Sequence, residues 1–198
     1  VNYTFVNPNT YTVNTVNNVV KFTNVEIKQG VPASFQFTVN SSTNPNYVFE
    51  IPDDAIDTST IQVIVQNSIS DTTQTVWNPS SSFLSLDNTS QVYFIQESLN
   101  GTYEIYFGDG VLGKQLSDGN IVIVSYISTN GTSSAGANNF VLMDSISGYS
   151  NNSIYSVTSA SHGGNKESIT SIKYQAPKSY AAQGRAVTKE DYITAIQN

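Results

Sequence analysis

Six residues carry the first chemical possibility. Gly108-Asp109-Gly110-Val111-Leu112-Gly113 satisfies the G-x-G-x-x-G spacing. In that arrangement a bare backbone turn can approach the pyrophosphate of a dinucleotide. The chemistry needs a strand before the turn and a helix after it, because the helix N-terminus holds the phosphate charge. The strand is present: Tyr103, Ile105 and Phe107 alternate with Glu104 and Tyr106. The helix is missing. Asp118-Gly119 turns the chain back and the apolar run Ile121-Val122-Ile123-Val124 follows. The glycines therefore read as tight bends in a sheet protein, with Asp109 bonding neighbouring backbone N–H groups.

The remaining reactive side chains do not assemble into a constellation. His162 is the single histidine, in the loop Ser161-His162-Gly163-Gly164, and a triad or a His-based metal site needs partners that the chain lacks. Asp53, Asp54 and Asp57 could attract calcium, but the EF-hand spacing and its closing Glu are absent. They read as strand-end turn formers after Pro52. Glu97 and Glu104 could pair as glycosidase carboxylates, with nothing in the sequence to fix their separation. Asn-x-Ser/Thr triplets begin at Asn2, Asn40, Asn88, Asn100, Asn130 and Asn151, as chance provides in so Asn-, Ser- and Thr-rich a chain. With no nucleophile and base in view, the chain reads as a non-enzyme with no cofactor, no metal and no small-molecule substrate.

Composition narrows the class further. The 198 residues carry a net charge of −7, with 38% hydrophobic and only 12% charged residues. An acidic chain does not suit a phosphate backbone, so nucleic acid is not an expected partner. No run approaches the roughly 18 apolar residues of a membrane span. The absence of cysteine excludes disulfides and thiolate chemistry. Twelve Tyr and nine Phe favour strands. Val1 at the start and Met143 as the single methionine suggest a piece of a longer protein.

The elements that must position these residues fall into three stretches. Residues 1–47 read as an N-terminal β segment, with a hairpin whose turn lies near Gln29 to Pro32. Ser41 to Asn46 is a candidate linker. Residues 48–160 read as a central β domain. Its strands are expected at Val48 to Ile51, Thr60 to Val65, Gln91 to Ile95, Thr102 to Phe107, Asn120 to Ile127 and Ile154 to Val157. Trp77 is expected at a sheet margin. Strands at this spacing imply antiparallel, sandwich-like sheets. Residues 161–198 open a C-terminal α+β domain. Ile169, Ile172 and Ala176 recur at helical spacing, Pro177 is expected to break or restart the helix, and Thr188 to Asp191 resembles a capping box leading into Tyr192. Lys173, Lys178, Arg185 and Lys189 are the clustered basic residues, read as a solvated helix face.

Two blocks, in this order, resemble the baseplate J-like family of structural wedge proteins in contractile phage tails. The first is Tyr103-Glu104-Ile105-Tyr106-Phe107-Gly108-Asp109-Gly110-Val111-Leu112-Gly113-Lys114, then Gly119 and the apolar strand ending Ser125-Tyr126. The second runs from Ser161-His162-Gly163-Gly164 through Ala176-Pro177 to Gly184-Arg185-Ala186-Val187-Thr188-Lys189-Glu190-Asp191-Tyr192. The resemblance covers Glu50 to Asn198 and departs at Lys178, where relatives often carry Arg. It implies a virion structural protein of a T-even-like baseplate, assembled in the host cytoplasm. Its partners would be other copies of itself and other wedge proteins, joined into a ring around the tail hub. The motif residues it implies are Phe107, Gly108, Asp109, Gly110, Gly113, Gly119, Gly163, Gly164, Pro177, Arg185, Thr188, Asp191 and Tyr192. Arg185 would act as an ion pair or carbonyl clamp orienting the C-terminal helices.

A different class remains open on composition alone. The Thr-, Asn- and Tyr-rich β pattern also suits a secreted carbohydrate-binding or adhesion module. A glycan array separates the two, because sugar binding would favour adhesion.

Overall fold

The computed structural model describes residues 3–6, 19–164, 167–182, 188–189 and 192–193. The chain divides into two compact units, Val1–Ala160 and Ser161–Asn198. The first is built of strands: β1 (Tyr3–Val6), β2 (Glu26–Gln29), β3 (Val31–Thr38), β4 (Val48–Ile51), β5 (Ile56–Gln66), β6 (Gln74–Pro79), β7 (Val92–Glu97), β8 (Tyr103–Phe107) and β9 (Ile121–Ser128). Among the described residues the second carries the helix α1 (Ile169–Ala182), with Lys189, Tyr192 and Ile193 also helical. The fold is thus mainly β with a C-terminal helical segment, the class expected from the sequence.

β1 and β2 pair as a small antiparallel ribbon, and the other seven strands form one sheet in the order β3-β9-β5-β6-β7-β8-β4. These seven strands pair antiparallel within two halves, β3-β9-β5-β6 and β7-β8-β4. The halves meet at a short parallel ladder, Asn78 opposite Val92 and Pro79 opposite Tyr93. β3 and β4 are the two ends of this order, yet Phe37 of β3 stacks on Phe49 of β4 at 4.4 Å between ring centroids. The sheet therefore curls until its ends meet over a shared core, as a strongly twisted antiparallel sheet does.

Alternation decides which side chains enter that core. Tyr103, Ile105 and Phe107 of β8 face inward, as the period of two requires. They join Phe49, Ile51, Val63, Val65, Val122, Val124 and Tyr93. Each such aliphatic or aromatic side chain contributes about 1.5–3 kcal/mol by leaving water. β5 carries an irregularity between Asp57 and Gln62 where it runs along β9. The hydroxyl of Thr60 accepts the Ile127 N–H there, and the Tyr93 hydroxyl donates to the Ile61 carbonyl at 3.1 Å. The extra residues are thus accommodated with their polar groups paired.

Several local expectations are corrected. β2 and β3 do not form a hairpin: β2 pairs with β1, and β3 with β9. One residue separates them, too few for a reversal, and Gly30 at φ +148° only redirects the chain. Trp77 is not marginal. It lies in β6 with 3% of its surface exposed, edge-on to Phe107 at 5.4 Å. Residues 154–157 form no strand; Tyr155 and Val157 are exposed, and an alternating pattern without a neighbouring strand has no ladder to join. Pro177 does not end α1, which continues to Ala182. The Lys178 ammonium sits 3.4 Å over the Tyr174 ring, bridging the turn that contains the proline. The linker at Ser41 to Asn46 connects β3 and β4, two strands of the same sheet.

Candidate functional site

The segment after β8 forms a tight knuckle. Gly108 and Gly113 lie against each other, so that a Cβ on Gly108 would come within 2.3 Å of the Gly113 carbonyl carbon. Gly110 and Gly113 hold φ angles of +88° and +92°, the left-handed region where glycine is the least costly residue. Between them the Gly110 N–H donates to the Gly113 carbonyl at 3.0 Å. Asp109 has the role read from the sequence. Its Oδ1 accepts the N–H groups of Val111 and Leu112, each at 2.9 Å. These backbone bonds hold its carboxyl below the usual carboxylate range.

This knuckle is fastened to a second loop that the sequence reading did not single out. The Gly113 N–H donates to the Asp87 carbonyl, and the Lys114 N–H to the Ser90 carbonyl. Asp87 organises that loop. Its Oδ1 accepts the Thr89 hydroxyl, the Ser90 hydroxyl and the Thr89 N–H, at 2.8, 2.8 and 2.9 Å. Together they pull its pKa down to about 2. The signal was legible as Asp87-Asn88-Thr89-Ser90, an Asp followed by hydroxyl residues, the composition of an Asx turn.

Held in this way, the paired loops present apolar side chains outward. Val111 is 71% exposed and Leu84 85% exposed, with Leu112 and Phe83 about half exposed. Phe83 stacks on Phe94, which stacks in turn on Tyr106, so a short aromatic row covers the outer face of β7 and β8.

The second half of the motif crosses between the two halves of the sheet. β8 belongs to one half and β9 to the other, so Asp118-Gly119 closes no hairpin between them. Leu116 is buried in the crossing. The Gly119 N–H donates to the Val39 carbonyl, and Asn120 returns its carbonyl to the Val39 N–H. Asp118 receives both the backbone N–H and the hydroxyl of Ser41, at 2.7 and 2.8 Å. The crossing is therefore tied to the linker between β3 and β4.

The other sites considered do not converge. Gln96 stands opposite Glu104 and Glu97 opposite Tyr103, so Glu97 and Glu104 point to opposite faces. Asp53 accepts the Ala55 N–H as a turn cap. Asp57 accepts the Lys28 ammonium at 3.1 Å. Burial raises its pKa, and the bonds from Ser59 and Lys28 outweigh that and lower it. His162 contacts its neighbour, Ser161 Oγ, at 2.7 Å.

In the second unit, Ser168 caps α1, its hydroxyl accepting the Ser171 N–H. Gly163 and Gly164 are exposed in the preceding loop. The Tyr192 N–H donates to the Thr188 carbonyl, one helical turn at the expected capping box. Arg185 and Asp191 lie outside the described residues.

Residues 37–135, which contain both paired loops and the crossing, match the family model described as bacteriophage baseplate wedge protein gp6, third domain. An alignment 131 positions long, which covers 55% of this chain, is 28% identical to the baseplate wedge protein gp6 of Enterobacteria phage T4. The chain is similar to only 20% of that protein's length.

Proposed function

The chain belongs to the family of the third domain of bacteriophage baseplate wedge protein gp6, and from that premise we propose that it joins neighbouring wedge subunits into a ring around the tail hub. A structural role in the phage baseplate follows from the family. The ring, its self-contacts and its contacts with other wedge proteins are our reading, as are assembly in the host cytoplasm and the finer likeness to baseplate J-like proteins. So is the division into an N-terminal β segment, a central β domain and the start of an α+β domain.

One observation carries the proposal. The family's match contains a knuckle fixed by backbone bonds and two close-packed glycines, and that knuckle spends its rigidity on displaying Val111 and Leu112 to solvent. Side chains held this far out, at low conformational cost, are the anchors that protein interfaces use. A head-to-tail contact repeated around an axis closes a ring, and a contact that fails to close gives a filament.

The test is sedimentation of the full-length protein with its neighbouring wedge proteins. Co-migration in a closed particle is the expected result. A full-length protein that stays separate from every wedge partner and from itself would overturn the reading.

A further inference from the structure

We propose that Asn130 is a self-modification site at which the chain converts its own asparagine to aspartate and isoaspartate. Two Asn-Gly pairs occur, Asn100-Gly101 and Asn130-Gly131, and two Asp-Gly pairs, Asp109-Gly110 and Asp118-Gly119. Such pairs share one reaction, because glycine has no Cβ to block the approach of its backbone nitrogen to the preceding side chain. The nitrogen must first give up its proton, and a hydrogen bond from that N–H opposes this.

The structure sorts the four pairs on that point. The Gly101 N–H donates to the Ser98 carbonyl at 3.0 Å, Gly110 to Gly113 at 3.0 Å, and Gly119 to Val39 at 2.9 Å. Gly131 differs: among the described residues its N–H has no acceptor. Asn130 is exposed, and Gly131 already holds φ +60°. The turn above them is closed only by a long bond, Ser133 N–H to the Asn130 carbonyl at 3.3 Å. Just before them the chain is held, by Thr129 N–H to the Ala55 carbonyl and Asn130 N–H to Gln29 Oε1. The reacting pair therefore sits just past an anchored strand end, in a turn closed by one long bond.

The step balances without any outside reactant but water. The deprotonated Gly131 nitrogen attacks Asn130 Cγ, the N–Cγ bond forms, the Cγ–Nδ2 bond breaks, and ammonia leaves with the proton. Water then opens the five-membered ring. Cleavage of the new N–Cγ bond gives aspartate, and cleavage of the original peptide C–N bond gives isoaspartate, with the main chain rerouted through the side chain. Either product adds a negative charge, and the second lengthens the backbone at the exit of β9.

The experiment incubates the intact folded chain in mildly alkaline buffer and follows each Asn-Gly peptide by mass spectrometry, with isoaspartate detected by enzymatic methyl labelling. Asn130 is expected to convert about tenfold faster than Asn100, the rate equivalent of one backbone hydrogen bond that must be lost. In denaturing urea the two rates should become equal, because only the fold separates them. Asn130→Gln should abolish the labelling at this position. Conversion of Asn100 at an equal or higher rate in the folded chain, or no conversion at Asn130, would overturn the proposal.

Discussion

Phe37 and Phe49 stack at 4.4 Å with their planes 17° apart, although they lie on the strands at opposite ends of the sheet order. The contact closes the curl of the sheet, and Phe49 continues it inward to Phe107 at 6.0 Å. A double-mutant cycle of Phe37→Leu and Phe49→Leu, read by urea denaturation, should give a coupling of about 1 kcal/mol, the usual worth of an aromatic pair beyond its buried area. Additive losses would mean that the two ends of the sheet are independent.

Gly108 and Gly110 stand two residues apart and should respond differently to alanine. At Gly108 the new Cβ would meet the Gly113 backbone at 2.3–2.6 Å, and backbone cannot move aside cheaply. The expected loss is about 3 kcal/mol, at the upper end of overpacking costs. At Gly110 the nearest atom is a flexible glutamine end at 3.3 Å, so only the positive φ is penalised, by about 1 kcal/mol. Thermal or chemical unfolding of both variants gives the comparison, and equal losses would contradict the close approach.

The Asp87 carboxylate gives the paired loops a pH dependence. Its folded pKa lies near 2 and its ordinary value at 3.8, so the folded state favours the ionised form. The stabilisation it provides is complete above about pH 4 and disappears as the pH falls through about 2. Asp87→Asn should therefore be less stable than the parent at neutral pH and indistinguishable from it below pH about 2. Carboxyl NMR titration of Asp87 with a midpoint near 4 would show the three hydrogen bonds to be absent in solution.

Val111 and Leu84 project outward without supporting the core. Replacing both by Glu should leave the unfolding midpoint of the chain within experimental error, since exposed substitutions typically change stability by under about 0.5 kcal/mol. The same double variant in the full-length protein should fail to enter the wedge particle. Assembly at the parent's level would move the interface elsewhere on the molecule.

Local signals made much of the sheet readable in advance. Alternation located β8, and short apolar and aromatic runs located β4, β7 and β9 and most of β5; in β7 the neighbours Tyr93 and Phe94 are both buried, so the run rather than a period of two marks that strand. β6 was missed because Gln74 to Pro79 buries only Trp77 deeply and ends in Asn-Pro, which reads as a loop. Pairing was not legible at all. The parallel contact of β6 with β7, and the separation of β8 from β9, depend on residues far apart in sequence, and no local pattern encodes them. At the knuckle, the glycine spacing and the role of Asp109 were visible. The loop that holds the knuckle, organised by Asp87, belongs to another part of the chain, and its partnership exists only once the sheet has formed.

The junction between β6 and β7 has a mechanical meaning. The strand ladder between the halves is two residue pairs long, whereas each half is knitted by longer antiparallel ladders. A pull applied across the molecule loads that seam first, because the fewest bonds there share the strain. The protein thus contains a built-in fault line between two stiff plates, and any movement it makes under load should begin by slippage along Asn78 and Val92.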